Sequence, residues 1–177
     1  MSNDAPRFRD IPQFSMANYH ADVAWDYMFE GWLPDMRETG LDMDPDFQRG
    51  HVWTEDKQVA YCEYVLRGGM GAKELFFNHP NWRASYDGEA VLVDGKQRLE
   101  AVRRFMFDEI KVFGHFKKEY SDRIDILRGR FSVNINNLQT TAEVYQWYLD
   151  LNDGGVVHTK EELDKVRALM ANVEKTA

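Results

Sequence analysis

A run of polar and charged residues has the composition of a phosphate-binding turn: Asp94-Gly95-Lys96-Gln97-Arg98. Gly95 can adopt backbone conformations that a residue with a Cβ atom resists. If a helix begins here, its first N–H groups lack intrahelical partners and attract anions together with the helix dipole. Lys96 and Arg98 add two positive charges, and the Asp94 carboxylate suits a metal ion or a proton acceptor. The sequence therefore predicts a site for a phosphate together with a metal ion or a transferable proton.

The residues on either side of this turn predict a strand before it and a helix after it. Apolar residues fill positions 91–93, and apolar side chains then recur at helical spacing (Leu99, Val102, Phe105 and Met106). A simpler interpretation also fits, because Asp-Gly is a common turn signal and Asp a common N-cap. In that case residues 96–98 form only the solvated first turn of a surface helix. A short motif leaves both interpretations open.

A second polar stretch, residues 42–53, has the sequence Asp-Met-Asp-Pro-Asp-Phe-Gln-Arg-Gly-His-Val-Trp. Its three aspartates alternate as acidic ligands do in calcium-binding loops. The residues that follow lack the glycine and the closing glutamate of such a loop, which disfavours metal binding here. The pattern predicts a turn around Pro45 and short extended backbone over 47–53, with a bend at Gly50.

The rest of the pattern predicts the elements that position these two stretches. Helices are expected over 18–32, from the N-cap Thr54 to 67–69, over 143–151, and after a capping box formed by Thr159 and Glu162. Strands are expected over 75–78, 90–93 and 130–136, with one or two short strands at 110–116. The sum is a single α+β domain over 18–177, with helices packed on a small mixed sheet and an N-terminal arm over 1–17.

Length and composition narrow the class of protein. The chain has 177 residues, of which 44% are hydrophobic, so it can bury a core. The single cysteine, Cys62, excludes an internal disulfide. The first residues are polar with no apolar run, which indicates a cytoplasmic protein without a membrane partner. Three aromatic residues are expected to be exposed and could form an oligomer contact: Trp82, Tyr86 and Trp147.

The charge balance bears on partners. The net charge of −8 disfavours binding to nucleic acid by general attraction, which requires many neutralised phosphates. A local basic patch remains compatible with this total, around Lys96, Arg98, Arg103 and Arg104, with Lys111, Lys117 and Lys118 further along. The acidic surface also serves solubility.

Three motifs in order carry a family resemblance. They are residues 46–53 followed by the helix at Gln58, residues 93–99, and residues 151–159 with Glu161-Glu162-Leu163. Together they resemble the N-terminal domain of GmrSD-type restriction enzymes, a ParB/sulfiredoxin-like family, over roughly residues 40–170. Each motif is weak alone, and the ordered set is more specific. The family pattern Asp-Gly-Gln-Gln-Arg differs here at one position, where Lys96 replaces the first glutamine.

The resemblance implies a fold and an activity. The fold is ParB/sulfiredoxin-like, and the implied activity is binding and hydrolysis of a nucleoside triphosphate, with Mg²⁺, in a DNA-related or phage and host-defence context. In that family the hydrolase activity is coupled to DNA cleavage by a separate nuclease domain, to which nothing in residues 1–177 is similar. The implied catalytic residues are Asp94, Gln97 and Arg98, with Asp94 also the metal ligand. The implied nucleotide- and phosphate-binding residues are Gln48, Arg49, Gly95, Lys96, Arg98 and Asn152.

Physical chemistry agrees with these roles and also offers others. Arg49 and Arg98 suit bidentate, charge-assisted bonds to phosphate oxygens. Gln48 and Arg49 equally suit a structural role, in which an arginine–carboxylate pair ties their strand to the Asp94 turn. His158 either closes over the site or lies on the surface before a helix cap.

Two further functions remain open. One is a non-catalytic acidic protein that binds or inhibits a host partner, such as a DNA-processing protein, because an acidic surface can occupy a DNA-binding cleft. The other is a ParB-like nuclease, which the acidic balance and the lack of a metal-ligand cluster in the sequence disfavour.

Overall fold

A computed structural model describes residues 11–12, 14–48, 53–85, 88–152 and 160–174. The N-terminal arm predicted over 1–17 lies largely outside these residues. The described part of the chain forms a four-stranded sheet with helices packed on it. The predicted α+β class is confirmed. No helix among the described residues combines the length and the apolar character needed to cross a membrane.

The sheet is mixed. Its strands are β1 (Tyr19–Ala24), β2 (Glu74–Asn78), β3 (Val91–Asp94) and β4 (Arg130–Asn136), in the spatial order β1-β4-β2-β3. The β1–β4 and β2–β3 pairs are antiparallel, whereas β2 and β4 run parallel. The strands predicted over 75–78, 90–93 and 130–136 are confirmed to within a residue at each end.

The helices follow most of the predicted starts. Their bounds are α1 (Trp25–Tyr27), a π-helical turn (Met28–Trp32), α2 (Leu33–Glu38), α3 (Glu55–Leu66), α4 (Lys96–Met106), a 3-10 turn (Lys117–Glu119), α5 (Thr141–Asn152) and α6 (Lys160–Glu174). The Thr54 hydroxyl caps α3 by accepting the Lys57 N–H at 3.4 Å. Thr140 and Glu143 form a reciprocal capping box at α5, with bonds of 3.2 and 2.9 Å. The cap predicted at Thr159 lies outside the described residues.

One core cluster joins the sheet to α3 and α4. Alternate residues of each strand point into it, because successive side chains of a strand lie on opposite faces. Leu75, Phe77 and Leu92 meet Val65, Val102 and Phe105 there, all buried. Cys62 belongs to this cluster, as its apolar position in the sequence predicted.

A second cluster lies on the other face and, among the described strands, covers β2 and β3. Val93 and Phe76 point this way and pack with Phe47 and residues of α5 and α6. Trp147 meets Phe76 edge-to-face at 5.9 Å and is 2% exposed. The sheet is therefore covered on both faces at β2 and β3, and the Asp94 turn follows directly from this doubly covered part.

The helix predicted over 18–32 is wrong in its first half. Residues 19–24 form β1, and the alternation of His20 and Asp22 with Ala21 and Val23 has the two-residue period of a strand. Asp22 accepts a hydrogen bond from the Ser132 hydroxyl of β4 at 2.8 Å. Because that partner lies 110 residues further along the chain, local sequence does not reveal it. The aromatic residues after β1 have helical spacing, and they extended the predicted helix back over β1.

Three smaller predictions also need correction. The strands expected at 110–116 reduce to one bridge between Val112 and His115, closed by a tight turn with positive φ at Phe113 and Gly114. Phe47 and Gln48 lie in a turn instead of extended backbone. Trp147 is buried and Trp82 packs against the core, so neither is an exposed aromatic for an oligomer contact. Tyr86 lies outside the described residues.

Candidate functional site

The turn between β3 and α4 requires glycine at its centre. Gly95 has φ +109°, a conformation that side chains with a Cβ atom rarely adopt. A Cβ atom there would collide with the Leu75 side chain and lie 3.2 Å from the Glu74 carbonyl oxygen. The start of α4 is thus pressed against β2. The predicted order of strand, tight turn and helix is confirmed.

Asp94 and Arg98 form an ion pair across the turn. One guanidinium nitrogen of Arg98 lies 2.6 Å from Asp94 Oδ2, and its Nε donates to the Glu74 carbonyl oxygen at 3.0 Å. Both side chains are partly exposed. The pair holds the Asp94 carboxylate and the Arg98 guanidinium within reach of one ligand at the rim of the sheet.

Lys96 pairs with Asp44 of the preceding stretch. The Lys96 side chain is 11% exposed, whereas that of Asp44 is 76% exposed. The lysine side chain is therefore mostly buried, whereas its carboxylate partner is exposed to solvent. The stem of a lysine commonly packs in this way with its charge at the surface.

Backbone bonds hold the stretch around Asp44 beside β3. Asp42 bridges to Val91, with its N–H bonded to the Ala90 carbonyl at 2.8 Å and its carbonyl to the Leu92 N–H at 2.9 Å. The Gln48 side-chain amide donates to the Leu92 carbonyl oxygen. Gln48 thus ties its turn to β3, in keeping with the structural role considered for it.

Gln97 connects the turn to the start of α3. Its side-chain oxygen accepts the Trp53 N–H at 3.2 Å. The Trp53 ring packs edge-to-face with Tyr61 at 5.4 Å, and the Lys57 ammonium lies 4.9 Å from its centroid. Burial raises the pKa of Tyr61, an effect that the Arg98 charge partly opposes. Gln97 therefore links the motif at residues 93–99 to the residue just before α3, the helix that contains Gln58.

The N-cap residue of α4 makes no side-chain hydrogen bond to the first turn of the helix. Gly95 stands at the N-cap position and has no side chain with which to accept the first helical N–H groups. Such donors bind anions readily, because the helix dipole and the N–H groups act together. Lys96 and Arg98 lie on this same turn, each paired with a carboxylate of the chain.

The other predicted site residues lie elsewhere or outside the described part. The Asn152 amide donates to the Tyr148 carbonyl oxygen of its own helix at 2.6 Å, and within the described residues no hydrogen bond joins it to the turn. Arg49 and His158 fall outside the described residues. Among the residues that are described, no three His, Cys, Asp or Glu side chains come together as a metal site. Asp94 therefore belongs to no such cluster among the described residues.

Sequence reasoning missed Asp44 and Glu74 as partners of the turn. The signal for Asp44 was the alternation of aspartates over 42–46. The structure gives each of the three a separate task. Asp42 Oδ1 accepts the Asp44 N–H at 2.8 Å, Asp44 pairs with Lys96, and Asp46 accepts the Tyr145 hydroxyl at 3.1 Å. Glu74 acts through its backbone carbonyl, for which its residue type carries no signal.

Comparison of the chain with models of protein families, with curated proteins and with solved structures found no match.

Proposed function

We propose that this protein binds a nucleoside triphosphate at the Asp94–Arg98 turn and hydrolyses it with Mg²⁺. The observation that carries the proposal is the start of α4 at Gly95, a residue without a capping side chain, with the Arg98 and Lys96 side chains on the turn that follows. The resemblance of the three motifs to the GmrSD-type, ParB-like family supports the same ligand and a DNA-related or phage and host-defence context.

The roles of the side chains follow from their places on the turn. Arg98 and Lys96 would hold phosphate oxygens, Arg98 by charge-assisted bonds and Lys96 as a point charge. The backbone N–H groups after Gly95 would donate to the same phosphates. Gln97, whose carbonyl oxygen is anchored by Trp53, would orient the attacking water.

A magnesium ion fits this arrangement through Asp94. Mg²⁺ is commonly bound by one or two carboxylates together with the phosphates of the substrate, and does not require a cage of protein ligands. Asp94 Oδ2 accepts from Arg98, and the same carboxylate offers Oδ1 to a cation. When bound, the ion would neutralise charge that develops on the phosphates.

Calorimetry tests the proposal directly. ATP, GTP and CTP with Mg²⁺ would be titrated into the wild type, Arg98→Ala and the control Arg128→Ala, whose arginine is a surface residue near β4. Loss of a charge-assisted hydrogen bond weakens binding by about 10- to 150-fold. We expect that loss in Arg98→Ala only. Arg98→Lys retains the positive charge beside Asp94 and should fold, but it lacks the guanidinium donors. Weaker nucleotide binding in this folded variant would therefore reflect loss of the phosphate contact and not loss of folding.

Turnover distinguishes hydrolysis from binding. Asp94→Ala should retain much of the nucleotide affinity and lose phosphate release. Unchanged turnover in both Asp94→Ala and Arg98→Ala would refute the assignment of the site. Absence of binding in the folded wild type would refute the function itself.

The internal pairing of the cations favours one alternative function. Arg98, Lys96, Arg103 and Arg104 all bond to carboxylates of this chain, so each has a structural use without a ligand. A non-catalytic acidic protein that binds a DNA-processing partner needs no more than this. Two results together would support that alternative. The wild type would give no heat of binding with nucleotides, and Asp94→Ala and Arg98→Ala would still bind the DNA-processing partner.

A further inference from the structure

A groove of about 510 Å³ runs along one side of α4 and shares Lys96 with the proposed phosphate site. Its α4 wall follows the helical spacing from Lys96 through Glu100 and Arg103 to Phe107. The facing wall comes from the π-helical turn, α2 and the stretch after it, and comprises Phe29, Leu33, Arg37, Met43 and Asp44. The volume lies within the range of small-molecule sites.

The two ends of the groove differ in chemistry. Lys96 lies at the start of α4 and Phe107 at its end, 11 positions later, which corresponds to about 16 Å along a helix axis. That distance is comparable with the length of an extended nucleoside triphosphate. The cationic end carries Lys96 of the first turn of α4, and the aromatic end lies where the base of such a ligand would fall.

The aromatic end has a ring that the core does not use. Phe107 is 58% exposed, although it packs edge-to-face against Phe29 with a centroid distance of 6.0 Å. The Phe29 contact fixes its orientation while its outer surface remains open to solvent. An oriented and exposed aromatic ring is a platform on which a nucleobase stacks.

The charged groups of the groove divide into fixed and available ones. Arg103 is held by Glu100 and Glu109, with bonds of 2.7 and 2.6 Å, and forms a rigid part of the wall. Arg37 is exposed and makes no ion pair with any described residue, so its guanidinium can donate to ring nitrogen or carbonyl acceptors of a base. The Asp44 carboxylate is 76% exposed, so a phosphate can compete with it for the Lys96 ammonium.

The geometry points to a nucleobase-binding site in this groove, with the base stacked on Phe107 and the phosphates reaching Lys96 at the start of α4. This inference rests on the proposed function and adds to it, because it places the ligand's orientation and names the residues that recognise its base. It also predicts that the protein binds a nucleoside triphosphate more tightly than the triphosphate group without its nucleoside.

Calorimetry with two probes tests the inference. ATP and inorganic tripolyphosphate, each with Mg²⁺, would be titrated into the wild type, Phe107→Ala and Phe113→Ala. Phe113 is a matched control, because it is also a partly exposed phenylalanine but does not line this groove. Base stacking on an aromatic ring corresponds to roughly 5- to 150-fold in affinity. We expect ATP to bind tighter than tripolyphosphate by that factor, and Phe107→Ala to abolish the difference.

The outcomes separate the two proposals. Equal binding of both probes to the wild type, with loss of both in Lys96→Ala, would overturn the base site and leave the phosphate site intact. Equal effects of Phe107→Ala and Phe113→Ala on ATP would also overturn it. Absence of binding for both probes would refute the proposed function and this inference with it. Phe107 is exposed enough for its alanine variant to fold, which a thermal melt would verify.

Discussion

Gly95→Ala should destabilise the protein strongly, for two reasons that can be measured apart. The φ of +109° costs a residue with a Cβ atom about 1–2 kcal/mol. The new Cβ atom would also displace the fully buried Leu75 side chain and lie 3.3 Å from the Leu75 Cα atom. Forcing extra volume into a packed core typically costs about 1–3 kcal/mol. The two effects together predict a loss of about 2–5 kcal/mol in the free energy of unfolding.

Gly68→Ala is the matched control for this prediction. Gly68 has φ +92°, but a Cβ atom there would meet nothing within 4 Å. It should therefore lose only the conformational part, about 1–2 kcal/mol. Urea unfolding followed by tryptophan fluorescence gives both values from the shift in midpoint at constant slope. Equal losses in the two variants would refute the close approach of α4 to β2, and wild-type stability in both would refute the backbone argument as well.

Three further outcomes follow from caps and burial. Thr140→Ala should lower the free energy of unfolding by about 1 kcal/mol, because it removes the N-cap of α5, and a result within error of the wild type would exclude that cap. Hydrogen bonds from Thr140 lower the pKa of Glu143, so its carboxylate stabilises the fold above the unfolded pKa and ceases to do so as pH falls through the folded one. Glu143→Gln should therefore flatten the acid side of a plot of stability against pH, and an unchanged profile would contradict this. Burial raises the pKa of the Cys62 thiol to about 12, so a thiol reagent at neutral pH should label it only after unfolding, whereas rapid labelling of the native protein would show that the thiol is accessible.

The part of the site that the sequence could predict is local. Residues 91–106 encode the strand, the turn and the helix within one short segment, because apolar runs, Asp-Gly and helical spacing act over few positions. Thr54 marked a helix start for the same reason. The requirement for glycine at 95 was likewise visible, although the reason for the tight space was not.

The part that the sequence could not predict depends on distant partners. β1 was assigned to a helix because its partner β4 lies far along the chain, and Lys96 was treated as available because its pairing with Asp44 spans 52 positions. The role of Glu74 depends on a backbone carbonyl. Local propensity carries no information about any of these contacts, since tertiary packing decides them.

The strand order also determines when this protein can complete its sheet. β4 is an inner strand, yet it is the last of the four in the chain, and β1 has no other neighbour in the sheet. During synthesis β1 therefore lacks its partner strand until residue 136 has left the ribosome. The β2–β3–α4 segment is contiguous and can form earlier, whereas closing β1 onto β4 carries the entropy of a loop of about a hundred residues. Folding should therefore be slow at its final step, and a chaperone that holds the first 129 residues would raise the yield of native protein.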